Sequence, residues 1–155
     1  MAIVHDLAEA HVGDITPVDG VSKEEKHRRE REAMRSFLED MLHGGEAARR
    51  IGALWDEYED GITPEAKFVK DLDRLELTLQ AIEYERAQGT KTIGTFVADT
   101  VRRIRHPAVQ DWARDALVER TQLYEERGDQ AELWQGVDVE KLGEPVVGDW
   151  VAKKN

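Results

Sequence analysis

Three features of this 155-residue chain predict an all-α fold. Apolar residues recur at three- and four-residue steps in one segment after another, and no stretch alternates with period two over a useful length. Caps and breakers (Ser22, Gly44-Gly45, Gly61, Thr63-Pro64, His106-Pro107) fall between the periodic segments. The composition agrees: 40% hydrophobic, 35% charged and only 6% aromatic, as expected of a charge-rich helical domain.

The elements follow in order. Val4 to Ala10 reads as a helix without a capping residue before it, and Ile3, Val4, Leu7 and Ala8 make it mostly apolar and buried. His11 to Ser22 is a loop broken by Gly13, Pro17 and Asp19-Gly20. Ser22 with Glu25 is a capping-box pattern opening a helix that is polar from Lys23 to Glu32. That helix then carries Met34, Phe37, Leu38, Met41 and Leu42, and Gly44-Gly45 ends it.

A helix over Glu46 to Glu59 turns Ala47, Ile51, Leu54, Trp55 and Tyr58 to one side, and Gly61 stops it. Thr63 caps the longest helix, with Pro64 in its first turn, where a missing N–H costs nothing. It runs to about Arg86 on a stripe of Phe68, Leu72, Leu75, Leu79 and Ile82, and Gln88-Gly89-Thr90 closes it. A shorter helix over Gly94 to Arg103 carries Phe96, Val97 and Val101, with Ile104 just beyond. His106-Pro107 is a break, because a residue before proline avoids helical angles. Pro107 to Glu126 is the last clear helix, with Val109, Trp112, Ala113, Ala116, Leu117 and Tyr124 inward. Beyond Gly128 the period fades, and 128–155 is expected to be a loosely held tail after a domain over 1–127.

Charge and composition exclude several functions. A net charge of −11 argues against a nucleic-acid groove and against docking on anionic lipid. Cysteine is absent, which removes disulfide and thiol chemistry and fits a cytoplasmic protein, with the nucleus the other compartment expected. No apolar run approaches the ~20 residues of a membrane span. No Gly-rich phosphate loop, Ser-His-Asp order or dinucleotide fingerprint is present.

Chemistry concentrates at the N-terminal end. His5, Asp6, Glu9, His11 and Asp14 fall within ten positions. On a helix His5 and Glu9 share a face, Asp6 lies about 100° round from His5, and Gly13-Asp14 turns another acid back toward them. Nitrogen and oxygen donors gathered this way suit a divalent metal. His11 is six residues from His5, on the opposite side of a helix, and is better placed in solvent. Asp73 sits at the edge of the buried stripe, with Arg74 or Lys70 as simple surface partners; Asp71 and Glu76 read as solvated. The run Lys23 to Arg31 reads as a solvated face, with Lys23, Arg28 or Arg29 the candidates for a phosphate contact. His27, His43 and His106 carry no pattern.

Four blocks in order, Ala2–Pro17, Lys23–Glu30, Leu54–Glu59 and Ala66–Asp73, resemble the HD-domain 5'-deoxynucleotidases, most closely the eukaryotic branch, over roughly Ala2 to Glu126. The resemblance implies a helical HD domain of about six helices. It implies hydrolysis of deoxyribonucleoside 5'-monophosphates to deoxynucleoside and phosphate, with Mn, Co or Mg and a homodimeric assembly. Carried over residue by residue, the His-Asp pair is His5-Asp6 and the distant metal-binding Asp is Asp73. The acid one turn after the pair is Glu9, and the acid of the Gly-Asp turn is Asp14. These two would act in catalysis, holding a second metal or the attacking water, with the Ile15 backbone beside them.

One departure stands out. The family's first metal histidine and its substrate-selecting residues lie upstream of the His-Asp helix, within which this chain begins. The resemblance therefore predicts an N-terminally truncated member, lacking a ligand and the family's first helix or two. The competing expectations are a helical interaction protein that keeps the scaffold without the chemistry, and an HD hydrolase of another phosphoester.

Overall fold

A computed structural model describes residues 1–16, 19–89 and 94–128, without the side chains of 94–96 and 99. The described residues form helices and turns with no strand, so the all-α expectation holds. The helices are α1 (Glu9–Val12), α2 (Lys23–Ser36), α3 (Glu46–Asp60), α4 (Pro64–Gln88), α5 (Gly94–Val101) and α6 (Pro107–Glu126). The chain divides into two compact units, Met1–Val69 and Lys70 onward. The expected tail over 128–155 lies outside the described residues, apart from Gly128.

In the first unit, Ala8, Ala33, Met34 and Trp55 form a buried cluster, with Leu7, Val12, Leu38 and Ile51 packed against it. Ser22 caps α2, its Oγ accepting from the Glu25 N–H at 3.2 Å. Only half of the capping box forms, because the Glu25 carboxylate is taken by Arg28 at 2.8 Å and Arg29 at 2.7 Å. The next segment departs from expectation. Phe37–Met41 is a π-helical turn, with Leu42 N–H donating to Phe37 O at 3.2 Å. His43 and Gly44 then take left-handed angles, φ 53° and 61°, and end the segment. In α3 the buried residues are Ala48, Gly52, Trp55 and Tyr58, so the inward alanine is Ala48 and Ala47 is exposed. A Cβ on Gly52 would stand 2.9 Å from Leu38 Cδ1, so a glycine there lets α3 approach the π-turn closely. Gly61, at φ 60°, closes α3 as expected.

Thr63 caps α4, accepting from the Ala66 N–H at 3.1 Å. The buried residues of α4 in the second unit are Asp71, Leu75, Thr78, Ala81, Ile82 and Glu85. Leu79, expected inward, is exposed, and so is Trp112 of α6. The face carries carboxylates because each has a partner. Arg120 of α6 meets Glu85 in a fully buried fork, Nε to Oε2 at 2.5 Å and Nη2 to Oε1 at 2.7 Å, with its guanidinium 4.7 Å from the centre of the Tyr124 ring. Arg127 donates to the carbonyls of Glu85 and Arg86 at 2.9 and 2.6 Å, satisfying the C-terminal end of α4. Val97, Val101, Ile104, Val109, Ala113, Ala116 and Leu117 are buried as predicted.

Candidate active site at the N-terminal turns

Residues Ala2 to Ala8 do not form the regular helix expected over Val4 to Ala10. They wind through tight turns, most closed by i to i+3 bonds: Val4 N–H to Met1 O at 2.8 Å, Leu7 to Val4 at 3.3 Å, Glu9 to Asp6 at 2.9 Å, His11 to Ala8 at 3.0 Å. Only Glu9–Val12 is α-helical, and no side chain caps it. Local propensity without a cap does not sustain a helix here, and tertiary packing of Ala8 and Leu7 holds the turns instead. The segment is less buried than its apolar residues suggested, with Ile3 at 92% exposure. Gly13, at φ 77°, breaks the chain where expected, its N–H returning to Glu9 O at 2.8 Å.

The turns bring His5 and Asp6 together. The His5 side chain is 14% exposed and Asp6 is 59% exposed, and Nε2 lies 2.9 Å from Asp6 Oδ2. His5 Nδ1 lies 2.9 Å from the Ala2 carbonyl, an acceptor only, so Nδ1 carries the hydrogen. The ring rests on Tyr58, centroids 4.8 Å apart at 54°. With Nδ1–H committed to a carbonyl, the neutral tautomer turns the lone pair of Nε2 to the carboxylate oxygen. Two lone-pair atoms at that separation need a proton or a cation between them. Adjacent ligands on one ion, each ~2.1 Å from it, stand about 3 Å apart, and metal-bound histidines commonly give their other N–H to a carbonyl. The donor set therefore fits a divalent metal.

Glu9 lies beside this pair. Its carboxyl is pushed up to about 6, first by burial, then by the charges of Asp6 and Asp14, against a lowering by Lys26. Asp14 is exposed. The turn that follows is fixed from both ends. Thr16 N–H and Oγ1 both donate to Asp19 Oδ2 at 2.7 Å, and Lys26 Nζ of α2 donates to the Ile15 carbonyl at 3.0 Å. Lys26 also pairs with the buried Glu30 at 3.4 Å, and burial raises the Glu30 carboxyl. His27 Nδ1 meets Glu59 Oε2 at 3.1 Å, linking α2 to α3. His27, Glu30 and Glu59 thus form a charge cluster that sequence alone did not single out.

Asp73 lies on α4, in the second unit. Asp71, read from sequence as solvated, is 1% exposed and accepts the backbone N–H groups of Arg105 at 2.8 Å and His106 at 2.7 Å. Arg74, offered by the sequence to Asp73, reaches Asp71 at 2.7 Å. Two residues of the site had escaped sequence reasoning. Tyr58 was legible as an inward residue but not as the support of His5. Lys26 was hidden in a run of alternating charge. Of the candidate phosphate contacts, Arg28 and Arg29 are bound by Glu25, and Arg28 also by Glu32.

The HD-domain family model matches residues 1–113. The chain belongs to the HD-domain family. It is 48% identical over 127 residues to the 5'-deoxynucleotidase hdd1 of Schizosaccharomyces pombe, covering 80% of this chain and 64% of that protein. The 5'-deoxynucleotidase HDDC2 of Danio rerio is 48% identical over 113 residues, 70% of this chain and 54% of the relative. The HDDC2 of Homo sapiens is 41% identical over 122 residues, 78% and 59% of the two. The chain thus spans about half to two thirds of the length of these curated relatives. No helix among the described residues is long and apolar enough to cross a membrane.

Proposed function

We propose that the chain carries the site of a metal-dependent 5'-deoxynucleotidase, releasing phosphate from deoxyribonucleoside 5'-monophosphates. The observation that carries this reading is the His5–Asp6 pair, with Nδ1 of His5 committed to a carbonyl and Nε2 turned to the carboxylate. The relatives are 5'-deoxynucleotidases, which supplies the substrate class.

His5 and Asp6 would hold the ion, and Asp73 joins them on the strength of the family resemblance. A divalent ion such as Mn, Co or Mg, when bound, lowers the pKa of water toward ~7 and neutralises charge on the phosphate oxygens. Glu9 takes a proton from the attacking water: its elevated pKa of about 6 makes it a better base than an ordinary carboxylate while leaving it largely ionised at neutral pH. The water oxygen bonds to phosphorus as the P–O5' bond breaks, and the leaving oxygen is protonated to give the deoxynucleoside. Tyr58 and the Ala2 carbonyl keep the His5 ring in the orientation the ion needs. Asp14 and the Ile15 carbonyl add oxygen donors beside Glu9 and suit a second cation. The resemblance also assigns a homodimer, which sedimentation of the chain tests.

The test of substrate class is a panel. Deoxyadenosine 5'-monophosphate, its ribo counterpart, a 3'-monophosphate and a simple sugar phosphate are offered with Mn or Co. Preference for the deoxy 5'-monophosphate supports the reading. Equal or better turnover of the other esters makes the chain a different phosphoesterase.

A further inference from the structure

The outer face of α2 is basic in a chain of net charge −11. Glu30, Ala33 and Met34 turn inward, while Glu24, Arg28, Arg31 and Arg35 are exposed at steps of four, three and four. With His27 and Glu32 they line an open groove of about 490 Å³. Both carboxylates of the groove are already engaged. Glu32 Oε1 accepts from Arg28 Nη1 at 2.8 Å. Glu24 is held at the start of α2 by its own N–H and by Ser22, which keep its carboxyl below the usual range. Arg28 is tied further to Glu25, through Nε and Nη2 at 2.8 Å. Arg31 and Arg35 have no ion pair among the described residues. We infer that this groove binds a free small molecule carrying two or more linked phosphate groups, with Arg31 and Arg35 as its ligands.

A guanidinium presents a planar fork of donors that matches two phosphate oxygens, and a charge-assisted bond of this kind is about twice as strong as a neutral one. Side chains four apart on a helix start about 6 Å from one another, so two forks reach neighbouring phosphates of one short chain. Neither arginine has to give up a carboxylate first, so binding costs no existing ion pair. Arg28 adds its charge to the wall without moving. His27 Nδ1 meets Glu59 Oε2 at 3.1 Å, so α3 fixes the imidazole at the edge of the groove. The volume falls within the ~300–1,000 Å³ of small-molecule sites and exceeds what a single phosphate fills. A short ligand meets only the local field, which salt screens beyond ~10 Å, whereas a nucleic acid would extend over the acidic remainder of the surface. Neither Arg31 nor Arg35 belongs to the proposed phosphatase site, so the groove is tested without metal and without turnover.

Titration calorimetry of the metal-free chain with sodium tripolyphosphate, in about 0.1 M salt, reads the site. The wild type should bind one tripolyphosphate per chain, at least about tenfold more tightly than sulfate, which can occupy only one fork. Arg31→Gln and Arg35→Gln should each weaken binding at least about fivefold. Arg50→Gln removes the same charge from an exposed position of α3 and should leave the affinity unchanged. All three positions are exposed, and circular dichroism confirms the fold. Absence of saturable binding would overturn the assignment, and so would full affinity in both groove variants. An equal loss in Arg50→Gln, or sulfate binding as tightly, would overturn it by showing an unselective response to charge. Tighter binding of a single-stranded oligodeoxythymidylate through the same two arginines would also overturn it, making the face a nucleic-acid surface. Phosphatase activity enters none of these measurements, so the proposed function and the groove stand or fall separately.

Discussion

At the scale of single residues, the site depends on where hydrogens and charges sit. His5 Nε2 faces Asp6 Oδ2 at 2.9 Å, a separation that a proton or a cation must bridge, and the proposed site gives that place to the metal. Asp6→Ala should therefore weaken Mn²⁺ binding at least about 100-fold, more than the usual effect of losing a supporting contact to a ligand; titration calorimetry measures it, and unchanged affinity would contradict the assignment. Glu9 gives a second prediction, for the metal-free chain. Its folded pKa of about 6 lies above the ordinary 4.5, so between these values the folded state holds more protons than the unfolded state. Stability should then fall as pH rises from about 4.5 to about 6 and level off above, a change held to about 1 kcal/mol by partial exposure. Thermal melts in chelator should show this slope, and Glu9→Gln should remove it. A Glu9→Gln protein with the wild-type slope would refute the assignment.

At the scale of elements, caps and breakers were the legible signals. Ser22, Gly61, Thr63-Pro64 and Pro107 start and stop helices where the sequence places them, because a cap acts within three residues of itself. Ser22→Ala should cost about 1 kcal/mol in a chemical melt. The Glu25 carboxyl is held down to about 2 by hydrogen bonds from Arg28 and then Arg29. The stability it lends is present above the ordinary 4.5 and lost as pH falls toward about 2. Glu25→Gln should flatten that part of the acid melt, and an unchanged profile would show that the pairs contribute nothing. Helix phase was less legible. The predicted stripe of α4 shares Leu75 and Ile82 with the real buried face, but that face also contains Asp71 and Glu85. Hydropathy counts a carboxylate as outward. These two turn inward because their partners, the Arg105 and His106 amides and the Arg120 guanidinium, come from 34 or 35 residues away. The same reason hid Lys26 and Tyr58 from the site.

At the scale of the molecule, the family and its helical fold were readable from four ordered blocks of sequence, and the family match over residues 1–113 agrees. The turns over Ala2–Ala8 were not readable, since a local pattern of apolar residues cannot tell a helix from turns held by packing. The second unit relies on its buried ion pair. Glu85→Leu leaves Arg120 buried and uncompensated and should cost about 3–5 kcal/mol, whereas Glu85→Leu with Arg120→Leu should cost less than Glu85→Leu alone. Denaturant melts of the three proteins check this, and a double variant as unstable as the sum of its parts would contradict it. The proposed chemistry depends on the His5–Asp6 pair. Its most direct test is phosphate release from deoxyadenosine 5'-monophosphate with Mn or Co, by the chain and by Asp6→Ala. Release by the chain should be stimulated by the metal, and Asp6→Ala should give none above background. Equal release by both, or no release by the chain, would contradict it.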